Sequence, residues 1–220
     1  MNDDEKYLFD LNGYLVIEDV LTMEEIDISN QAIDKHAAKM RIRPREEKLD
    51  GDSGMLAGTH GRGELGGLLE LESPWCDPFR KMLVHPKIVS YLNEILGKGF
   101  RMDHQMFLIS MDKGAEGFIF HGSSGPGFDP NQYYIFQNGK MHCGLTVVTF
   151  QLGDVNPGDG GLIVIPGSHK SNFSCPIQIK KHEKHQEHVH QIVCKAGSVV
   201  IFTEAVTHGT LPWTADHPRR

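Results

Sequence analysis

A chain of 220 residues is long enough to bury one sizeable core, and its 39% hydrophobic and 23% charged residues are those of a globular protein, neither collagen-like nor disordered. A formal net charge of −7 argues against nucleic-acid binding, which leaves a basic footprint. No apolar run reaches the roughly 18 residues of a membrane span, so no membrane partner is expected. Cys76, Cys143, Cys175 and Cys194 form no CxxC pair, so free thiols are expected rather than a zinc site or disulfide framework. The first residues, MNDDEKYLFD, lack the charged and apolar regions of a secretory signal, and the expected location is the cytoplasm.

In chain order, residues 7–20 read as a short helix, an Asn12-Gly13 turn and a strand on Tyr14, Leu15, Val16 and Ile17. Thr22 and Glu25 form a capping box for a helix running to about Arg41, with Ile26, Ile33 and Ala37 on one face. Residues 44–67 carry seven glycines and many charges, and are expected as a long irregular loop of the kind that often serves function. A second helix is expected over about 79–96, stopped by Gly97. From Phe100 the texture changes to short β-branched and aromatic runs at 104–111, 132–137, 143–152, 161–166 and 197–203. That spacing predicts an antiparallel barrel or sandwich. The expected architecture is one domain over 1–220, mainly β with flanking helices: a helical flank over about 1–98 and a β core over about 99–220.

Three strings offer chemistry. Gly61-Arg62-Gly63-Glu64-Leu65-Gly66 matches GxGxxG letter for letter, but no strand precedes it and no βαβ unit follows, so a loop is expected. His182, His185, His188 and His190 lie among lysines and glutamates and read as a solvated loop. The most specific string is Gly158-Asp159-Gly160-Gly161-Leu162-Ile163-Val164-Ile165-Pro166-Gly167-Ser168-His169-Lys170, a glycine-rich turn feeding an apolar strand that ends in a Pro-Gly turn. His169 in that turn reads as a surface residue or hydrogen-bond anchor.

The segment GGLIVIPGSHKSN resembles the "GCLxVxPGSHK" signature of the phytanoyl-CoA dioxygenase family. NGYLVIEDVLT at 12–22 and FTEAVTHGTLPWTADHPRR at 202–220 are similar to that family's N-terminal and distal-histidine segments. The resemblance implies a double-stranded β-helix, a cupin-like jelly roll, and oxygenase chemistry dependent on Fe(II) and 2-oxoglutarate. The family's metal triad is HxD followed by a distal histidine, two imidazoles and a carboxylate on one face of the ion. Carried over, His121 and His208 are metal ligands. Arg219, eleven residues past His208, is the clamp for the 2-oxoglutarate carboxylate, with Arg220 as its substitute if the register slips, and Thr210 places a hydroxyl near the same carboxylate. The substrate implied is a small molecule or acyl group.

Two features depart from the family. The position of the aspartate holds Ser123, a neutral, weak ligand. Three readings follow. Asp129 returns through the Gly125-Pro126-Gly127 turn as third ligand, with Glu204 less convenient because four residues of strand span about 13 Å. Alternatively, the site is a halogenase in which chloride takes the vacated position, or the fold is kept for binding alone. The family also continues past the Arg-Arg pair with a strand and tail. Here the sequence ends at Arg220, so the jelly roll is expected to be incomplete at its C-terminus, with Arg219 at a frayed end. The loops 44–67 and 122–131 are the expected lids.

Overall fold

The computed structural model describes residues 1–122 and 127–220. Helix α1 spans Asp3–Asn12 and starts earlier than expected, because Asn2 and Glu5 form a reciprocal capping box. It stops at Gly13, whose φ of +81° is left-handed, and the strand β1, Tyr14–Ile17, follows. Helix α2, Met23–Lys35, has the Thr22–Glu25 capping box but ends short of Arg41. A single tight turn at Ala37–Lys39 leads into β2, Arg41–Ile42. The reason is tertiary: Arg41 and Arg43 reach Glu64 on the neighbouring strand β3, Gly63–Leu65. The GxGxxG string is therefore partly strand and opens no nucleotide-binding helix. The single helix expected over 79–96 is two, α3 (Asp77–Leu83) and α4 (Pro86–Ile95). Pro86 lacks an N–H and biases the residue before it out of the helix.

The β half contains β4 (Leu108–Ser110), β5 (Phe118–His121), β6 (Tyr134–Gln137), β7 (Lys140–Cys143), β8 (Thr146–Phe150) and β9 (Gly161–Val164). After the one-turn helix α5 (Ile177–Lys180) come β10 (His190–Gln191), β11 (Val199–Thr203) and β12 (His208–Leu211). All pairings between these strands are antiparallel; among the described residues an isolated bridge between His60 and Ala115 is parallel. Two sheets carry the architecture, one ordered β1-β11-β8 and one β10-β9-β12-β5; β2-β3-β4 and the β6-β7 hairpin are accessory.

Period-two side-chain alternation assigns each face. Leu15 and Ile17 of β1 and Val199 and Ile201 of β11 pack outward against Phe9 of α1 and Ile88 and Ile95 of α4. Their neighbours Val200 and Phe202 face inward, against Leu162 and Val164 of β9. The result is a double-stranded β-helix in which two sheets face each other, one outer face is covered by helices, and the barrel is not closed. No helix among the described residues is long and apolar enough to cross a membrane.

One lock joins the two family-like strings. His169 is buried and its Nε2–H donates to the Asp10 carbonyl at 3.0 Å, while a Cβ on Gly13 would come within 2.6 Å of its Nδ1. Burial pushes its pKa from 6.5 down to about 4. The folded value lies below the unfolded one, so the unfolded chain takes up a proton that the folded chain refuses. This residue's contribution is complete above pH 6.5 and is lost as the pH falls toward 4. The loss by pH 5 amounts to about 2 kcal/mol. Urea unfolding at pH 7 and pH 5 should show a drop smaller by about that amount in His169→Gln than in the parent; equal drops would refute the assignment.

Candidate metal centre

Strands β5 and β12 are neighbours, and His121 stands directly opposite His208 in their register. Opposed residues of an antiparallel pair share a face, so the two rings project together, with centroids 4.1 Å apart. Phe202 of β11 flanks His208 at 4.7 Å and Phe118 stacks on His121 at 4.3 Å. The Nδ1 of His208 lies 2.7 Å from the Val206 carbonyl, and that of His121 lies 3.1 Å from the Ile119 carbonyl. A carbonyl only accepts, so each Nδ1 carries the proton and each Nε2 keeps a lone pair, the form that binds metal. Burial holds both rings neutral: it drives His208 down to about 3, with the nearby His121 adding to the effect, and it lowers His121 as well.

The carboxylate beside them is Glu204. The chain from Thr203 to His208 is a turn, closed by the Val206 N–H donating to the Thr203 carbonyl (3.0 Å) and the Ala205 N–H to the Thr203 hydroxyl (3.3 Å). The 13 Å expected of an extended strand therefore does not apply. Glu204 Oε1 lies 3.8 Å from His208 Nε2, and one ligand atom each of His121, Glu204 and His208 fall within 4.8 Å of one another. With the imidazole neutral, the 3.8 Å contact is not an ion pair. Burial raises the Glu204 carboxyl, partly offset by His104. The sequence signal for the turn was Thr203, whose hydroxyl caps the backbone two residues on.

Asp129 does not join this group. Its carboxylate accepts from the Asn131 N–H at 2.8 Å, and it lines a separate cavity with Asp10, Tyr134, His169 and Lys170. Local turn chemistry holds it there in place of the expected return to the histidines. Ser123 lies outside the described residues. The exposed trio His185, Glu187 and His188 is a second group with ligand spacing, on the surface as the solvated-loop reading expected.

Arg219 is not frayed. Its backbone exchanges two hydrogen bonds with Met111, at 3.1 and 2.9 Å, and its side chain is buried. Arg220 points elsewhere, to Asp34 at 2.6 Å. Among the described residues no carboxylate lies within 4.0 Å of the Arg219 guanidinium, whose side-chain contact is the Met111 sulfur at 3.5 Å. Burial lowers its pKa to about 10, and the charge of Arg62 adds to this. Thr210 sits two residues along β12 from His208 and therefore on the same face, opposite Leu162 of β9. Two neutral imidazoles and a carboxylate are the donor set that suits non-haem iron(II), and an unpaired buried guanidinium suits a carboxylate ligand. The residues fit both groups.

The fold recurs in solved structures. HygX from Streptomyces hygroscopicus with nickel and 2-oxoglutarate bound matches with a TM-score of 0.79 and 18% identity, over 100% of this chain and 84% of that one. The carbocyclase SnoK from nogalamycin biosynthesis, described as non-heme and alpha-ketoglutarate-dependent, matches at 0.68 and 15%, over 100% and 81%. EctD from S. alaskensis in its apoform matches at 0.66 and 16%, over 100% and 74%. No curated protein matches the chain by sequence. The family model for phytanoyl-CoA dioxygenase (PhyH), whose members depend on Fe(II) and 2-oxoglutarate, matches residues 9–220. With that match over nearly all of its length, the chain belongs to the phytanoyl-CoA dioxygenase family.

Proposed function

We propose that this chain is a mononuclear non-haem iron enzyme that hydroxylates a small-molecule or acyl substrate at an unactivated C–H bond. In the overall reaction 2-oxoglutarate and O₂ become succinate and CO₂ as one oxygen atom enters the substrate. The observation that carries this reading is the buried Arg219, which has no acidic partner among the described residues, in a fold that also sets two neutral imidazoles face to face. A buried cation without a counter-ion is costly, and a dicarboxylate co-substrate relieves that cost.

In this reading His121 and His208 hold the iron through Nε2. Arg219 receives the distal carboxylate of 2-oxoglutarate as a two-bond pair, and the Thr210 hydroxyl adds a third donor. Bound iron supplies open coordination positions for 2-oxoglutarate and O₂. The protein supplies geometry and dryness: Phe118 and Phe202 wall the imidazoles against water. HygX, a structural neighbour, has been solved with 2-oxoglutarate and hygromycin B together, which supports a small-molecule substrate here. The four free thiols suit the cytoplasm as the place of work, and residues 1–220 act as one domain.

Anaerobic titration of the protein with Fe(II) and 2-oxoglutarate tests the reading. A visible metal-to-ligand charge-transfer band should grow only when both are present. A folded sample that gives no band would overturn it.

A further inference from the structure

We propose that Glu204 supplies the anionic metal ligand, so that the carboxylate of the triad comes from the turn between β11 and β12 and not from the residue two after His121. The inference rests on the iron reading above and concerns which side chains of that site hold the ion.

Three observations converge on it. First, Glu204 completes the only group of potential ligands among the described residues that contains both His121 and His208, with all three donor atoms within 4.8 Å of one another. Second, the carboxylate is largely buried, its side chain 18% exposed, and the His208 ring is its one basic neighbour within 4.0 Å among the described residues. A carboxylate withdrawn from water is expensive unless a cation sits against it, and a divalent ion between it and the imidazoles removes the expense.

Third, the backbone is shaped for the approach. Gly122, at φ +74°, packs so closely on the Glu204 and Val206 carbonyls that a Cβ there would lie 2.5 Å from each. The end of β5 therefore rests directly on the turn that bears Glu204. Glycine is the residue that tolerates both the positive φ and this contact.

The charge also balances. Two neutral imidazoles and one glutamate present the same single negative charge to Fe(II) as two imidazoles and an aspartate. Ser123 then leaves no deficit, and no chloride is required to fill a vacated position. This favours hydroxylation over halogenation at the site.

The test is calorimetric titration of the full chain with Fe(II) under anaerobic conditions, without substrate turnover. Glu204→Gln keeps the shape and removes the charge, and should weaken Fe(II) binding more than about 10-fold while the melting temperature of the metal-free protein stays within a few degrees. Glu204→Asp should fall between that variant and the parent, and Asp129→Ala should bind within about two-fold of the parent. Adding chloride should leave the charge-transfer band of the parent unmoved. The assignment is overturned if Glu204→Gln binds like the parent, if Asp129→Ala loses the metal, or if chloride shifts the parent's band. A parent that binds no Fe(II) overturns the iron reading itself, a result separable from all of these.

Discussion

Arg219→Met is expected to weaken 2-oxoglutarate binding by about 100-fold while leaving the metal-free protein as stable as the parent, or more so. The two effects share one cause. The guanidinium is buried beside the Met111 sulfur with no acid in reach among the described residues, so in the absence of ligand its charge is uncompensated. Replacing a buried, unpaired charge with an apolar side chain of similar length removes a desolvation penalty. With 2-oxoglutarate present the same charge makes two charge-assisted hydrogen bonds, together worth about 3 kcal/mol, or about 100-fold in affinity. Co-substrate affinity, read from the charge-transfer band at fixed Fe(II), and urea unfolding of the metal-free protein measure the two arms. Unchanged 2-oxoglutarate affinity would remove Arg219 from the pocket. A large loss of stability would mean that its charge has a partner in the folded protein.

His208→Ala should abolish Fe(II) binding at micromolar concentrations, a loss greater than the roughly 10- to 100-fold that changes outside the ligand set produce. It should also cost about 2–3 kcal/mol of stability, because the buried ring fills space against Phe202 and His121. His188→Ala is the matched control. That imidazole belongs to the exposed His185–Glu187–His188 group, and its removal should leave high-affinity Fe(II) binding intact. If His188→Ala loses the metal and His208→Ala keeps it, the centre has been placed on the wrong histidines.

Much of the architecture was legible from short-range chemistry. The Thr22–Glu25 capping box, the Asn12-Gly13 stop and the apolar run at 161–164 each sit where the residues put them. The signal of Pro86 was passed over in the expectation of one helix over 79–96: a proline inside a helical pattern marks a boundary, and α3 and α4 separate there. The strands that carry the histidines were harder. Phe118–His121 is a four-residue aromatic and β-branched run, readable but short. His208-Gly209-Thr210-Leu211 has little intrinsic strand character, and β12 is extended because β9 and β5 pair with it on both sides.

The candidate site was half legible for the same reason. His121, His208, Thr210 and Arg219 followed from recognisable strings. The neighbourhood of Glu204 did not, because it depends on a turn closed by the Thr203 hydroxyl and on a glycine 82 residues earlier in the chain that leaves room for it.

The double pairing of β12 has a bearing on how this protein can diverge from its relatives. A strand hydrogen-bonded along both edges cannot slide or twist without disturbing its neighbours, so the backbone beneath His208 and Thr210 is tightly constrained against drift. The β6-β7 hairpin carries no such double constraint: among the described residues its two strands pair only with each other, and its Asn138-Gly139 turn is exposed. Substitutions in that turn leave the paired strands of the main sheets untouched. Change can therefore accumulate there while the strand under His208 passes unaltered from one descendant to the next.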